Sequence, residues 1–256
     1  PTGDETVNVP VEVLPKATPE KVTTLKDTTS DNLTTAVKEK AQAALGKLTL
    51  PSGVTVELVP NQDYTVPATD SNGDKTAVPV KVQYKDATGT VVADDTINVP
   101  VTVVSSTPSK IVVFEGEKPT AEQAKAAVTP GTDGTKGEPT TLPETAGKAG
   151  ATDVKVDVPV TYDNGKITET VKVPVTVLPK ATGEVEVPKG ATVDKVKEVA
   201  KAKASALVEE AGFKGKLPEG SKDVVIGEIT EEVLATMTAE KGTNKGIVKV
   251  PVTYTV

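Results

Sequence analysis

Residues 154–177 read VKVDVPVTYDNGKITETVKVPVTV. Valine alternates with polar residues or proline from Val154 to Val160, and again from Val171 to Val177. Strict alternation of this kind is typical of a β-strand with one buried face. The two runs flank Asn164-Gly165, and Asn-Gly between alternating runs is the strongest short-range signal of a β-hairpin. The segment therefore predicts a hairpin whose valines face a core.

The Val-Pro-Val triplet in both strands of this hairpin recurs through the chain. The prolines at the centres of its six copies are Pro10, Pro79, Pro100, Pro159, Pro174 and Pro251. Each proline falls on the phase opposite to the valines, which places it on the outward face. Because proline donates no ladder hydrogen bond, we expect each strand to meet solvent at that point and to resist edge-to-edge association. A second hairpin is predicted from Val78 to Val103, with its turn at residues 86–89.

A longer repeat divides the chain into modules. The hexapeptide Val-Leu-Pro-Lys-Ala-Thr occurs at residues 13–18 and again at residues 177–182. Each copy leads to a strand-like stretch, an amphipathic helix, a Leu-Pro turn and a hairpin strand, and a shorter version lies between them. The prediction is a closing strand of a preceding module at 1–14, a long module A at 15–104, a short module B at 105–178, and a long module C at 179–256 that lacks its final strand. The joints are short and contain proline, which favours stiff connections.

Capping signals place one helix in each module. In module A, Ser30 is the predicted cap and Gly46 the predicted stop. In module C, the helix is predicted between Thr192 and Gly212. In module B, residues 120–123 fit a capping box.

The first alternating run, residues 5–13, has no hairpin partner in its own neighbourhood. Ten residues separate Tyr162 from Val173 in the module B hairpin. Joining the end of the chain to its start would place the same spacing between Tyr254 and Val9. We interpret the chain as a piece of a repeating protein and expect residues 5–13 to pair with the open edge of module C in a neighbouring molecule. The alternatives are that this strand packs on module A or stays unpaired.

The composition removes most catalytic chemistry. The chain has no Cys, no His and no Trp, and all of its 29 basic residues are Lys. It therefore lacks a thiol, an imidazole, the usual zinc ligands and the bidentate guanidinium grip on phosphate. A net charge of −7 without Arg or aromatic clusters argues against nucleic-acid binding, and no apolar run is long enough for membrane insertion. We expect no enzymatic activity, no catalytic residue, no cofactor and no metal ligand.

Two motifs resemble functional sites, and a structural interpretation is preferred for both. Residues 70–74 resemble the start of a calcium loop, but the twelfth position is Lys81, and a hairpin turn at Asn72-Gly73 accounts for the motif. Leu142–Gly147 resembles a sortase signal, but neither an apolar span nor a basic tail follows, so it is interpreted as a Leu-Pro turn. A Lys–Asn isopeptide bond would need a buried cluster rich in aromatic residues, which is not evident.

The aromatic and acidic residues are interpreted in the same way. Three tyrosines end equivalent strands and are expected to plug the core beside each hairpin: Tyr84, Tyr162 and Tyr254. Three carboxylate pairs are interpreted as surface charge: Asp94-Asp95, Glu209-Glu210 and Glu231-Glu232. Two aromatic residues in the variable inserts are candidates for an exposed binding platform: Tyr64 and Phe213.

Residues 158–166, with the closing strand 171–177, resemble the end of a Rib/alpha-like repeat. Module B is similar to such a repeat over nearly its whole length, and modules A and C resemble its long variants in their hairpins and Leu-Pro turns. The resemblance implies tandem β-sandwich modules related to the immunoglobulin-like fold, in a Gram-positive surface protein anchored to the cell wall. It carries no catalytic residues.

The repeats and this resemblance together predict a mainly β, elongated rod of small modules with short inserted helices. We expect it to act outside the bacterial cell as a stalk that projects an adhesive domain from the cell wall. The alternative is an adhesin or self-association module that contacts a host extracellular ligand or a biofilm partner.

Overall fold

A computed structural model describes residues 6–188, 190–221, 224–229, 248, 250–253 and 255. The chain is mainly β, with 30% of the structure in strands and 19% in helices, as the alternating valines predict. It forms two compact units, and the division into modules A, B and C stays a prediction. Unit 1 comprises residues 1–107, 130–135 and 160–169, and unit 2 comprises residues 108–129, 136–159 and 170–256.

Short strands and helices alternate with two long hairpins. The elements are, in chain order, β1 (Val22–Leu25), α1 (Ser30–Leu45), β2 (Thr55–Leu58), β3 (Gly73–Lys85), β4 (Val91–Val104), β5 (Thr107–Pro108), β6 (Ile111–Phe114), α2 (Ala121–Ala126), β7 (Val128–Thr129), β8 (Thr135–Lys136), β9 (Lys155–Tyr162), β10 (Ile167–Leu178), α3 (Val193–Glu209), α4 (Ala211–Lys214), β11 (Val225–Ile226) and β12 (Val252–Thr253).

A four-stranded sheet in the order β1-β4-β3-β2 forms the frame of unit 1. β3 and β4 make the predicted antiparallel hairpin, and β1 runs parallel to β4 with Val22 opposite Val101. The inward valines of the hairpin form one core with α1, whose Leu33 and Val37 are completely buried. The period-2 phase read from the sequence is therefore the phase that builds the core.

The prolines point outward as predicted, although two of them lie on the inner strands of the sheet. Pro79 is on β3 and Pro100 is on β4. β2 pairs with β3 only over residues 82–85, and β1 pairs with β4 only from Val101 onward. Each proline therefore falls where its short neighbouring strand has ended, so the absent amide hydrogen interrupts no ladder.

A second four-stranded sheet has the order β6-β10-β9-β8 and contains the predicted hairpin of β9 and β10. β6 runs parallel to β10, with Ile111 opposite Val175, as β1 does to β4. The three inward valines of β9 are completely buried: Val156, Val158 and Val160. The two sheets share one plan, in which a long hairpin lies between two short strands.

Two of the helix starts test the capping signals. α2 has the predicted capping box, because the Gln123 amide donates to Thr120 Oγ1 at 3.1 Å and the Thr120 amide donates to Gln123 Oε1 at 2.9 Å. The predicted cap of α1 is wrong by one residue. Thr29 is extended and accepts from the Asn32 amide at 3.4 Å, whereas Ser30 has already entered the helix.

The helix predicted between Thr192 and Gly212 starts as predicted but ends early. Thr192 caps α3 by accepting from the Lys195 amide at 3.3 Å. The helix stops at Glu209 instead of running to Gly212, because Glu210 is extended, with φ −60° and ψ 137°, and α4 starts after it. None of the described helices combines the length and the apolar character needed to cross a bilayer.

Candidate functional site

The tip of the β9–β10 hairpin carries a polar network within unit 1. Asp163 and Asn164 have φ values of 49° and 54°, and Gly165 follows at 85°. Asn and Gly tolerate this left-handed region better than other residues, which is why the sequence turns here. The Gly165 amide donates to the Tyr162 carbonyl at 3.1 Å. The turn thereby fixes Tyr162 at the end of β9.

The Tyr162 hydroxyl joins three segments of unit 1. It lies 2.7 Å from Ser106 Oγ, donates to Glu169 Oε2 at 3.1 Å, and accepts from the Gly131 amide at 3.2 Å. Only 1% of the residue is exposed. Tyr162 is therefore a core plug, as predicted, whose polar end also ties down the chain around it.

The joint that was predicted at residues 105–108 is held by this network. The Ser106 amide donates to Glu169 Oε2 at 2.9 Å. Ser105 Oγ donates to Asn72 Oδ1 at 2.9 Å, and Asn72 Nδ2 donates back to the Ser105 carbonyl at 3.4 Å. Both serines of the joint are thus bound through backbone and side-chain atoms.

Tyr84 and Asp95 form an equivalent arrangement at the preceding joint, residues 14–16. Tyr84 Oη donates to the Pro15 carbonyl at 2.6 Å. Lys16 Nζ donates to Asp95 Oδ1 at 3.0 Å, and this bond holds the pKa of Asp95 below its ordinary value. In both hairpins a tyrosine lies within one residue of the end of the first strand, and it binds the same joint as an acid on the second strand. We call Tyr84 with Asp95, and Tyr162 with Glu169, the anchor pairs.

Two glycines that sequence reasoning missed allow the second joint to pack closely. A Cβ on Gly131 would lie 2.8 Å from the Ser105 carbonyl oxygen, and one on Gly134 would lie 2.6 Å from Tyr162 Cε1. Both distances are shorter than the contact distance between non-bonded atoms, so a side chain at either position would clash. The two positions require glycine because backbone and ring approach them, which local sequence does not reveal.

A polar cavity of about 310 Å³ opens beside the same hairpin tip. Lys21 supplies an ammonium group, Thr23 and Thr102 supply hydroxyl groups, and Asp133 and Asp163 supply carboxylates to its walls. In the part of the chain that the structure describes, no cluster of three or more acidic residues could hold a metal ion. The walls of the cavity therefore combine hydroxyl, ammonium and carboxylate groups.

The calcium-like and sortase-like motifs have structural roles. Asn72 does not make a hairpin turn, because residues 59–72 form a long connection between β2 and β3; it binds Ser105 instead. Asp74 Oδ1 accepts from Thr102 Oγ1 at 2.5 Å. Within the sortase-like motif, Thr145 is 1% exposed and donates to the Glu117 carbonyl at 2.6 Å. The calcium-like motif therefore holds β3 to residues 102 and 105, and the sortase-like motif holds a turn against the segment at residue 117.

The remaining candidates are packed residues or surface charges where the structure describes them. The platform of Tyr64 and Phe213 is wrong, because Phe213 is only 8% exposed and Tyr64 packs against the core of unit 1 with Lys38 Nζ 4.8 Å from its ring centroid. Glu209 pairs with Lys214. Tyr254 and Glu231-Glu232 lie outside the described residues.

A buried lysine for an isopeptide bond is not found among the described residues. The buried polar side chains there are all threonines: Thr24, Thr69, Thr102 and Thr145. Without a buried lysine, the cross-linking chemistry has no nucleophile in the part of the chain that the structure covers.

Raising the pH is expected to weaken unit 1 through Tyr162. Burial raises the pKa of Tyr162 above its ordinary value, so the folded state favours the neutral phenol. This contribution is present below about pH 10, the pKa of an unfolded tyrosine, and is lost as the pH rises through the folded pKa. Urea unfolding at pH 8 and above pH 10 should show a larger loss for the wild type than for Tyr162→Phe. Equal losses of unfolding free energy in the two proteins would contradict a role of Tyr162 in this pH dependence.

The fold and these contacts define a class of protein: a mainly β chain with repeated hairpins and hydrogen-bonded joints. A scan of protein-family models finds none that matches the chain, and a search of curated proteins finds no significant match. Its function is therefore inferred from its own residues and contacts.

Proposed function

We propose that the chain is a run of spacer repeats in a cell-wall-anchored bacterial surface protein. Its Rib-like, immunoglobulin-related modules succeed one another as an elongated rod that projects an adhesive domain. The work is mechanical, so no substrate is turned over and no cofactor is bound. The chain acts outside the cell, where a protein without cysteine relies on packing and hydrogen bonds instead of disulfides.

The observation that carries this proposal is the repetition of the anchor pairs. Tyr84 and Asp95 bind the joint at residues 14–16, and Tyr162 and Glu169 bind the joint at residues 105–108. An enzyme has no need to repeat such a contact at successive joints, whereas a spacer does. A joint held by two side chains resists bending more than its proline content alone would.

The geometry of the acids supports the same interpretation. Asp95 lies two residues beyond Ala93, which is opposite Tyr84 in the β3–β4 ladder. Glu169 lies two residues beyond Ile167, the first residue of β10 after the turn that follows Tyr162. Tyrosine and acid therefore occupy the same relative positions in both hairpins, which is what a repeated module requires.

Small-angle X-ray scattering should give the profile of a rod. The 12 residues of β10 set a module length of roughly 40 Å at ~3.3 Å per residue, so three modules reach roughly 120 Å with a radius of gyration of about 35 Å. A compact globule of this length has a radius of gyration of about 18 Å. A maximum dimension well below about 100 Å would overturn the rod.

A second sample tests whether the anchor pairs stiffen it. The double variant Tyr84→Phe/Tyr162→Phe keeps both rings and removes both hydroxyl groups, so its distance distribution should broaden. Tyr64→Phe is the matched control, because it removes the hydroxyl of a tyrosine that anchors no joint. An unchanged distance distribution in the double variant would mean that the hydroxyl groups of the anchor pairs do not stiffen the joints.

The second candidate is a binding module, and the polar cavity beside the hairpin tip favours it. A host glycan would match the hydroxyl, ammonium and carboxylate groups of its walls. Glycan arrays probed with the wild type and with Lys21→Ala discriminate the two functions. Glycan binding by the wild type that Lys21→Ala loses would favour the adhesin function. If the wild type binds no glycan, the spacer function is favoured.

A further inference from the structure

Residues 6–13 have the sequence of a core strand but lie in solvent. Their four valines are 74%, 74%, 83% and 86% exposed: Val7, Val9, Val11 and Val13. Residues 170–177 match them except at Asn8, where Lys172 stands, and at Glu12, where Thr176 stands. The corresponding valines of β10 are 5%, 0%, 4% and 1% exposed: Val171, Val173, Val175 and Val177. The same valine pattern is thus exposed to solvent at residues 6–13 and buried in the core at residues 170–177.

The pair of strands β11 and β12 is built like β8 and β9. The Gly227 amide donates to the Pro251 carbonyl at 2.7 Å, as the Gly137 amide does to the Pro159 carbonyl at 2.8 Å. In each case a Cβ on the glycine would lie 3.0 Å from a carbon of the proline ring. Glu228 and Glu138, which follow these glycines, both pair with a helix lysine. Pro251 is therefore the structural equivalent of Pro159.

The inward face of this pair is less covered than that of its counterpart. Val248, Val250 and Val252 are half-buried, whereas the equivalent valines of β9 are completely buried. Val248 and Val250 pack against Val196, Ala200 and Ile229 on one side. Among the described residues, β11 is the only strand that pairs with β12. The position that β10 occupies beside β9 has no described counterpart beside β12.

We propose that residues 6–13 of one copy of this chain add to β12 of a second copy, in the position that β10 occupies beside β9. Residues 6–13 belong to none of the strands in the part of the chain that the structure describes. The residues that follow this segment are held by their own chain, because Pro15 binds Tyr84 and Lys16 binds Asp95. An exposed edge with an uncovered apolar face is the usual acceptor for an added strand.

The register follows from the complete hairpin. The Val175 amide donates to the Val154 carbonyl at 2.8 Å, and Lys172 pairs with Asp157 at 3.2 Å. Carrying this register over sets Val7 opposite Val250 and Val9 opposite Val248. Donor and acceptor are different surfaces of one chain, so the contact is head-to-tail and open-ended. It stands independently of the spacer function, because it needs only that the strands fit.

Sedimentation velocity over a range of concentrations tests the contact. The wild-type chain should form dimers and longer head-to-tail oligomers, and Val9→Asp should weaken the association by about tenfold or more, because a carboxylate would enter an apolar face. The variant keeps its fold, since Val9 is 74% exposed. Asn8→Asp is the matched control, because it places the same charge on the outward phase of the same segment. It should associate like the wild type.

A labelled peptide of residues 6–13 then identifies the acceptor. It should bind saturably to the full Val9→Asp chain, whose own donor is disabled, and the same peptide with Val9→Asp should not bind. Because the chain has no cysteine, Thr6→Cys and Thr253→Cys chains can each be labelled with a fluorophore at one site. Fluorescence energy transfer between these two chains should exceed that between Thr6→Cys and Thr88→Cys chains.

The results divide cleanly. Association of the wild type that Val9→Asp loses, peptide binding, and transfer specific to Thr253 support strand addition. A wild type that stays monomeric at every concentration overturns it. So does association that Val9→Asp leaves unchanged, a peptide that does not bind, or transfer that is equal for Thr253 and Thr88. A rod-like scattering profile could accompany either result, so this test and that of the spacer fail separately.

Discussion

Replacing Tyr162 with alanine is expected to lower the free energy of unfolding of unit 1 by about 3–5 kcal/mol, the usual range for truncation of a buried aromatic ring. The ring is 1% exposed and lies against Gly134 so closely that a Cβ there would be 2.6 Å from Cε1. Its removal leaves a void, and Ser106 and Glu169 lose a hydrogen-bond partner. Hydrogen exchange of unit 1 amides, followed with chemical denaturation, measures the loss.

Tyr162→Phe separates the ring from the hydroxyl. It should cost about 1–3 kcal/mol, because it leaves the Gly131 amide and the Glu169 carboxylate without one partner each. Tyr64→Phe should cost less, because its ring is only half-buried at the edge of the core. If Tyr162→Ala and Tyr162→Phe were equally destabilising, the ring would contribute nothing and its role as a core plug would be wrong.

The hairpins were predictable because their signals are local and repeated. Strict alternation from Val154 to Val160 sets the buried phase without reference to any distant residue, and Asn164-Gly165 sets the turn. The buried valines of β9 confirm that phase. The capping box at Thr120 and Gln123 was predictable for the same reason, since its two hydrogen bonds span three residues.

The joint contacts were not predictable in this way. Tyr84 and Pro15 are 69 residues apart in the sequence, and Tyr162 and Ser106 are 56 apart. No periodicity brings such pairs together; the sheet does, once its strands are in register. Glu169 carries no sequence motif that would distinguish it from the other acidic residues. Its one signal is positional, namely that it matches Asp95 when the two hairpins are aligned.

The central position of Pro79 and Pro100 has a similar explanation. Alternation correctly predicts that they face outward, but it says nothing about how far a neighbouring strand extends. β1 and β2 are each only four residues long, so they leave most of β4 and β3 uncovered. The prolines are tolerated on inner strands because the strands beside them are short.

Replacing Leu33 with alanine is expected to destabilise unit 1 by about 2–5 kcal/mol. Leu33 is completely buried between α1 and the sheet. Val37 and Ala41 on the same face of α1 are completely buried as well, so the void would lie inside a packed core. The position of the cost within that range depends on how far the surrounding side chains collapse into the void.

The measurement is the same hydrogen exchange experiment, resolved by unit. Protection should fall most in α1, β3 and β4, whose side chains share the core with Leu33. Val112→Ala is the control, because Val112 is 41% exposed on β6 and its loss should change stability by no more than about 0.5 kcal/mol. A cost for Leu33→Ala below about 1 kcal/mol would mean that α1 does not hold the sheet of unit 1, because a fully packed leucine cannot be removed so cheaply.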